Sequence, residues 1–165
     1  MKKSLLLVSL LSLFLFGCSS TPINDASKPA GPSSLVSDDD KDLDLASLRD
    51  PNNILSKRSV YFDYDKDMVK AEYKDLVAAH AKYVSTHQKA KMTLTGNTDD
   101  RGSREYNVSL GQRRSVSVKK SMNVLGAQDT QIETVSFGEE RADTNCKDDA
   151  CYAKDRRVDI SYEKE

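Results

Sequence analysis

GNTDDRGSREYNVSLGQRRSVSV, at residues 96–118, sets a carboxylate and a guanidinium at the two ends of one loop-and-helix unit. The residues leading into it, KMTLTG at 91–96, alternate apolar Met92 and Leu94 with threonines and predict a strand. Residues 97–103 form a polar loop with Gly102 as its flexible point. Beyond the loop Leu110, Arg114, Ser117, Val118, Ser121 and Met122 recur at helical spacing, so the inner face of a helix carries Arg114 with it. An inward arginine needs a partner, and Asp99, where the strand gives way to the loop, is placed to stand close by. A site with one negative and one positive wall suits a zwitterion: the carboxylate takes an ammonium, and the guanidinium takes a carboxylate through two parallel hydrogen bonds. From spacing alone, a structural salt bridge or a solvated charged face is the commoner outcome for such a pair.

Working outward, residues 60–63 predict a short strand, and residues 70–86 place Tyr73, Leu76, Val77, His80 and Val84 on one helical stripe. A second helix spans 106–125 and stops at Gly126, and two later strands cover 132–137 and 157–162. The order strand, helix, strand, helix, strand, strand predicts an α+β fold with helices packed on one face of a mixed sheet. That sheet is parallel through its helical crossovers and antiparallel where the last strand pairs.

The run TDxxGxxxxNxxLxxxR, carried here by Thr98, Asp99, Gly102, Asn107, Leu110 and Arg114, resembles the signature of the OmpA-like peptidoglycan-binding domain family. With VYFDYD at 60–65 and DRRVDI at 155–160, the likeness covers roughly residues 53–162, and within the family it points to the group of peptidoglycan-associated lipoproteins. The resemblance implies a βαβαββ sandwich that binds the diaminopimelate residue of the cell-wall peptide. The positions matching Asp99 and Arg114 hold the amino-acid end of that side chain. Phe62 and Asp63 match residues lining the same groove, and Asn107 matches one that orders the loop. Phe62 is equally a core residue on its own pattern, and Asn107 equally a satisfier of loop backbone groups. Many members have His before the Thr-Asp or Ala-Asp dipeptide where this chain has Asn97, so no ligand contact is carried over to that side chain. Arg156 and Arg157 match a dipeptide that ties the last strand to the loops.

At the N-terminus, Lys2 and Lys3 precede SLLLVSLLSLFLFG, an apolar run too short to span a bilayer comfortably, which ends at Cys18. This predicts an export signal over residues 1–17. The segment LFGC at 15–18 resembles a lipobox, with Phe16 in place of the usual small or β-branched residue, and implies lipidation of Cys18. Several acyl chains there would anchor the protein firmly, at ~0.8 kcal/mol for each buried methylene. Ser19 after the cysteine implies passage to the outer membrane. Residues 18–52, rich in Ser, Pro, Asp and Lys, predict a disordered periplasmic tether with a reach of roughly 30 Å. Residues 53–165 then form one domain large enough for a single core.

Removing residues 1–17 lowers Lys plus Arg from 25 to 23 against 26 acidic residues, leaving about −3 and arguing against a nucleic-acid partner. His80 lies on the inner stripe of its helix and His87 at the helix end, with no carboxylate cluster beside them, so no metal or other cofactor is called for. Cys146 and Cys151 bracket KDDA, and an exported domain oxidises its thiols, so a disulfide worth roughly 2 kcal/mol is expected. Free thiols or a chelate are the alternatives. No Ser-His-Asp or Cys-His set accompanies the Asp99–Arg114 unit, which argues against a wall hydrolase. The expected function is non-covalent attachment of the outer membrane to peptidoglycan, with TolB and other Tol proteins as the partners that the resemblance implies. The competing readings are an envelope anchor without Tol partners and a surface antigen with no wall ligand.

Overall fold

Apolar-polar alternation turns four segments into strands: β1 Ser59–Tyr61, β2 Met92–Asn97, β3 Ile132–Gly138 and β4 Arg157–Tyr162. In the computed structural model, which describes residues 44–164, they form one sheet in the order β1-β4-β2-β3. β2 and β3 run parallel, while β4 lies antiparallel between β1 and β2, with Val60 opposite Val158 and Leu94 opposite Ile160. The register gathers Val60, Met92, Leu94, Val158, Ile160 and Tyr162 on one face. Helices α2 Lys74–Thr86 and α3 Arg104–Val124 cover that face and add Leu76, Val77, Val84, Val118 and Met122 to the same core. The predicted α+β order and mixed sheet are therefore observed. Helix α3 starts two residues earlier than its apolar periodicity indicates, because Ser103 caps it by accepting a hydrogen bond from the Tyr106 amide.

Two short helices were not expected. Helix α1, Leu45–Arg49, buries Leu48 in the main core and is capped by Asp44, whose carboxylate accepts from the Ser47 amide at 3.2 Å. Leu48, with Leu45 partly buried beside it, packs the segment from residue 44 against the domain core. The predicted export signal, Cys18 and the earlier part of the expected tether lie outside the described residues. The other helix, α4 Asp149–Asp155, is capped by Asp148, which accepts from the Cys151 amide at 2.9 Å. Cys146 and Cys151 are joined by a disulfide, with Cα atoms 5.4 Å apart, that fastens the preceding loop to α4.

Helix α3 rests on β2 without intervening side chains. A β-carbon at Gly96 would lie 1.9 Å from the Gly111 carbonyl oxygen, and one at Gly111 would lie 2.3 Å from Ser136 Oγ. This backbone contact sets the height of the helix over the sheet, and Arg114 follows Gly111 by three residues on the same buried stripe.

His80 is a core residue, as its place on the inner stripe indicates. Nε2 donates to the Lys57 carbonyl at 2.9 Å, a tautomer required by an acceptor-only partner, and Nδ1 accepts from the Tyr162 hydroxyl at 2.8 Å. Burial outweighs the upward pull of the Lys57 carbonyl and pushes its pKa down to about 4. An imidazole that titrates near 6.5 when unfolded and near 4 when folded leaves stability intact above pH 6.5 and removes it as the pH falls toward 4. Denaturant titrations at pH 7 and 4.5 should therefore differ by about 2 kcal/mol from this residue, and His80→Gln should lose that share of the difference.

Candidate functional site

The carboxyl ends of β1 and β2 and the start of β4 meet at one edge of the sheet, because β4 runs antiparallel between the other two. Asp99 lies just past β2, the loop holding Phe62 and Asp63 follows β1, and Arg156 precedes β4. Helix α3 brings Arg114 over the same edge. Together they enclose a pocket of about 120 Å³ whose walls include Thr98, Asp99, Arg101, Tyr106, Asn107 and Arg114.

Arg114 has no measurable exposure, and its position is fixed entirely by backbone. Nε donates to the Lys66 carbonyl at 2.8 Å, Nη1 to Asn97 at 2.9 Å and Nη2 to Asp63 at 3.2 Å. Its guanidinium carbon stands 5.3 Å from the centroid of the Phe62 ring. Burial lowers its pKa to about 10, so it stays charged at neutral pH. A guanidinium has five N–H donors, and the three bonds to carbonyls leave two uncommitted.

Asp99, 4% exposed, faces the pocket from the opposite side. Its Oδ2 accepts from Arg101 Nη2 at 2.7 Å and from Arg156 Nη1 at 3.1 Å. Burial alone would raise its pKa, but the hydrogen bonds from these two arginines hold it below the usual carboxylate range. Among the described residues no ion pair joins Asp99 to Arg114. The expected walls of opposite charge are present, but each group has partners of its own.

Phe62 takes the core place that is its alternative reading, while the Asp63 side chain lies away from the pocket. Phe62 is buried in the core beneath Arg114, so its ring supports the guanidinium instead of lining the pocket. The side chain of Asp63, 68% exposed, reaches toward Lys70 Nζ at 3.6 Å, and only its carbonyl serves the site. Asp63 lies two residues past the last paired residue of β1 and opens a turn closed by the Lys66 amide, which donates to its carbonyl at 3.2 Å. Asn107 is buried at the pocket wall and ties the start of α3 to Glu139 after β3. Asn97 turns away from the pocket, donating to Thr95, the Arg157 carbonyl and Asp159.

Sequence reading missed Arg101, and it read Arg156 first as a strand-to-loop tie, with a direct ligand role as the lesser alternative. Arg156 fills that role, since Nε donates to the Phe62 carbonyl at 3.2 Å, but it also neutralises Asp99 and reaches Asp149. A buried carboxylate with two guanidinium partners leaves no local sequence signal, because one of the partners is 57 residues away. Of the described residues, Asp143, Cys146 and Cys151 cluster as metal-type side chains, but both sulfurs are committed to the disulfide.

The family model described as the OmpA family matches residues 61–156. A peptidoglycan-associated lipoprotein from Pasteurella multocida (strain Pm70) is 41% identical over 104 residues, covering 63% of this chain and 69% of that protein. One from Legionella pneumophila is 42% identical over 102 residues, covering 62% and 58% respectively. The crystal structure of the peptidoglycan-associated lipoprotein from Burkholderia pseudomallei superposes with a TM-score of 0.69 at 43% identity, covering 71% of this chain and 99% of that one. The C-terminal domain of Helicobacter pylori MotB shares the fold at 18% identity, with a TM-score of 0.59 and coverage of 66% and 86%. By its matched signature and its shared fold, this chain belongs to the OmpA family.

Proposed function

We propose that this protein is a lipoprotein of the bacterial envelope whose folded domain grips peptidoglycan non-covalently and tethers the outer membrane to the wall. The single observation that carries the reading is one small pocket with a buried carboxylate on one side and a buried guanidinium on the other. The amino-acid end of a diaminopimelate side chain carries an ammonium and a carboxylate a short distance apart. Asp99 takes the ammonium, and the two uncommitted donors of Arg114 take the carboxylate as a bidentate pair. The pocket binds rather than transforms: its charged groups are held in place by backbone and by one another, and none is paired as nucleophile and base. The names of the similar proteins support the ligand class and the lipid anchor, which this reading assigns to Cys18. By the same likeness, Tol proteins including TolB are the partners through which the anchor serves envelope constriction at division.

A sedimentation assay tests this reading. The lipid-free chain from Ser19 onward is mixed with purified diaminopimelate-type peptidoglycan beside its Asp99→Asn variant. The wild type sediments with the wall, and the variant, which keeps the shape and loses the charge, falls at least tenfold in bound fraction at limiting wall. Equal sedimentation of the two removes Asp99 from the ligand site.

A further inference from the structure

Asp99 Oδ2 receives two cations, and the two are held very differently. Arg156 is buried, with four hydrogen bonds to Phe62, Asp99 and Asp149, so it is a fixed part of the wall. Arg101 keeps 35% of its side chain exposed and is held by its bond to Asp99, a longer one of 3.4 Å to Asp149, and two aromatic rings. Its guanidinium carbon lies 4.3 Å from the ring centroids of both Tyr64 and Tyr152, one from the loop after β1 and one from α4. The disulfide fastens the end of α4 that carries Tyr152.

This conformation of Arg101 is incompletely satisfied. Its Nε and the Thr98 hydroxyl are both buried with no hydrogen-bond partner among the described residues, and Thr98 forms part of the same pocket wall. Buried polar groups without partners are costly. Turning Arg101 outward gives Nε access to water, and the Thr98 hydroxyl belongs to the same pocket wall as Asp99.

We propose that Arg101 competes with the ligand's ammonium for Asp99 Oδ2 and swings out from between Tyr64 and Tyr152 as the ligand enters. The inference rests on the proposed peptidoglycan site and adds a selectivity device to it. A ligand must bring its own cation to replace the arginine, with Thr98 as a second partner for that ammonium. A carboxylate without a neighbouring ammonium gains Arg114 but cannot displace Arg101. Charge at Asp99 is conserved in the exchange, so the buried carboxylate is never left with fewer cations than it has now.

Calorimetric titration of a tripeptide ending in meso-diaminopimelate into the lipid-free chain tests the exchange, with thermal melts confirming folding. Arg101→Ala and Arg101→Gln both remove the competitor, and each is expected to bind roughly two- to fivefold tighter than wild type, the worth of one partly exposed ion pair. Unchanged or weaker binding in both variants overturns the proposal, since a structural or ligand-contacting arginine gives that result. Asp99→Asn separates the two levels of inference. If it loses binding while the Arg101 variants fail to tighten, only the exchange falls; if it binds as wild type does, the site assignment falls and takes the exchange with it.

Discussion

Gly96→Ala should cost the domain about 4 kcal/mol or more, read as a fall in Tm of roughly 15 °C or as failure to accumulate folded protein. The new methyl group would meet the Gly111 carbonyl oxygen at 1.9 Å, and the obstacle is backbone on a long helix that cannot step aside. Relief requires lifting α3 from β2, which also carries Arg114 away from the carbonyls of Asp63, Lys66 and Asn97. Stability and ligand binding should therefore fall together. Gly126→Ala is the control: its φ of +101° is strained for alanine, but the nearest atom is Ser85 Cβ at 3.9 Å. Only backbone strain operates there, at a cost of about 1 kcal/mol, and binding should be unaffected.

Arg114→Ala is the second large effect, with an expected loss of about 3–5 kcal/mol. The carbonyls of Lys66 and Asn97 lose their side-chain donor, that of Asp63 keeps only the Lys66 amide, and a cavity opens over Phe62. Arg114→Lys separates folding from recognition. An ammonium keeps the charge but lacks the planar fork that spans three carbonyls and still presents two donors to a ligand. The lysine variant should recover part of the stability in chemical denaturation while remaining defective in wall sedimentation. If it restores binding fully, a point charge suffices and the bidentate grip is wrong.

These effects explain which parts of the protein were readable in advance. Strand β4 and helices α2 and α3 announce themselves by period, because each buries one face along its whole length, and β2 does so over residues 92–94 before both of its faces are buried. Helix α4 does not: DACYAKD has no apolar stripe, and it is held by the Asp148 cap and the neighbouring disulfide. Helix α1 is too short for a period, its five residues holding only the buried Leu48 and the partly buried Leu45. At the site, Asp99 and Arg114 were legible as a carboxylate after a strand and an arginine on an inward stripe. Their actual partners were not, because partner choice is decided by topology. Placing β4 between β1 and β2 delivers Arg156 to Asp99, and the turn after β1 delivers carbonyls to Arg114. The Asp63 carboxylate, which the family resemblance assigns to the groove, instead faces Lys70.

The central claim is that Asp99 and Arg114 together read the ammonium and the carboxylate of one side chain. Its most direct measurement is calorimetric titration of the lipid-free chain with two stem tripeptides, one ending in meso-diaminopimelate and the other in lysine, which keeps the ammonium and lacks the carboxylate. The diaminopimelate peptide should bind at least tenfold tighter, the worth of a hydrogen-bonded charge pair, and Arg114→Lys should shrink that preference. Equal affinity for the two peptides, or a preference that survives in Arg114→Lys, would contradict the account.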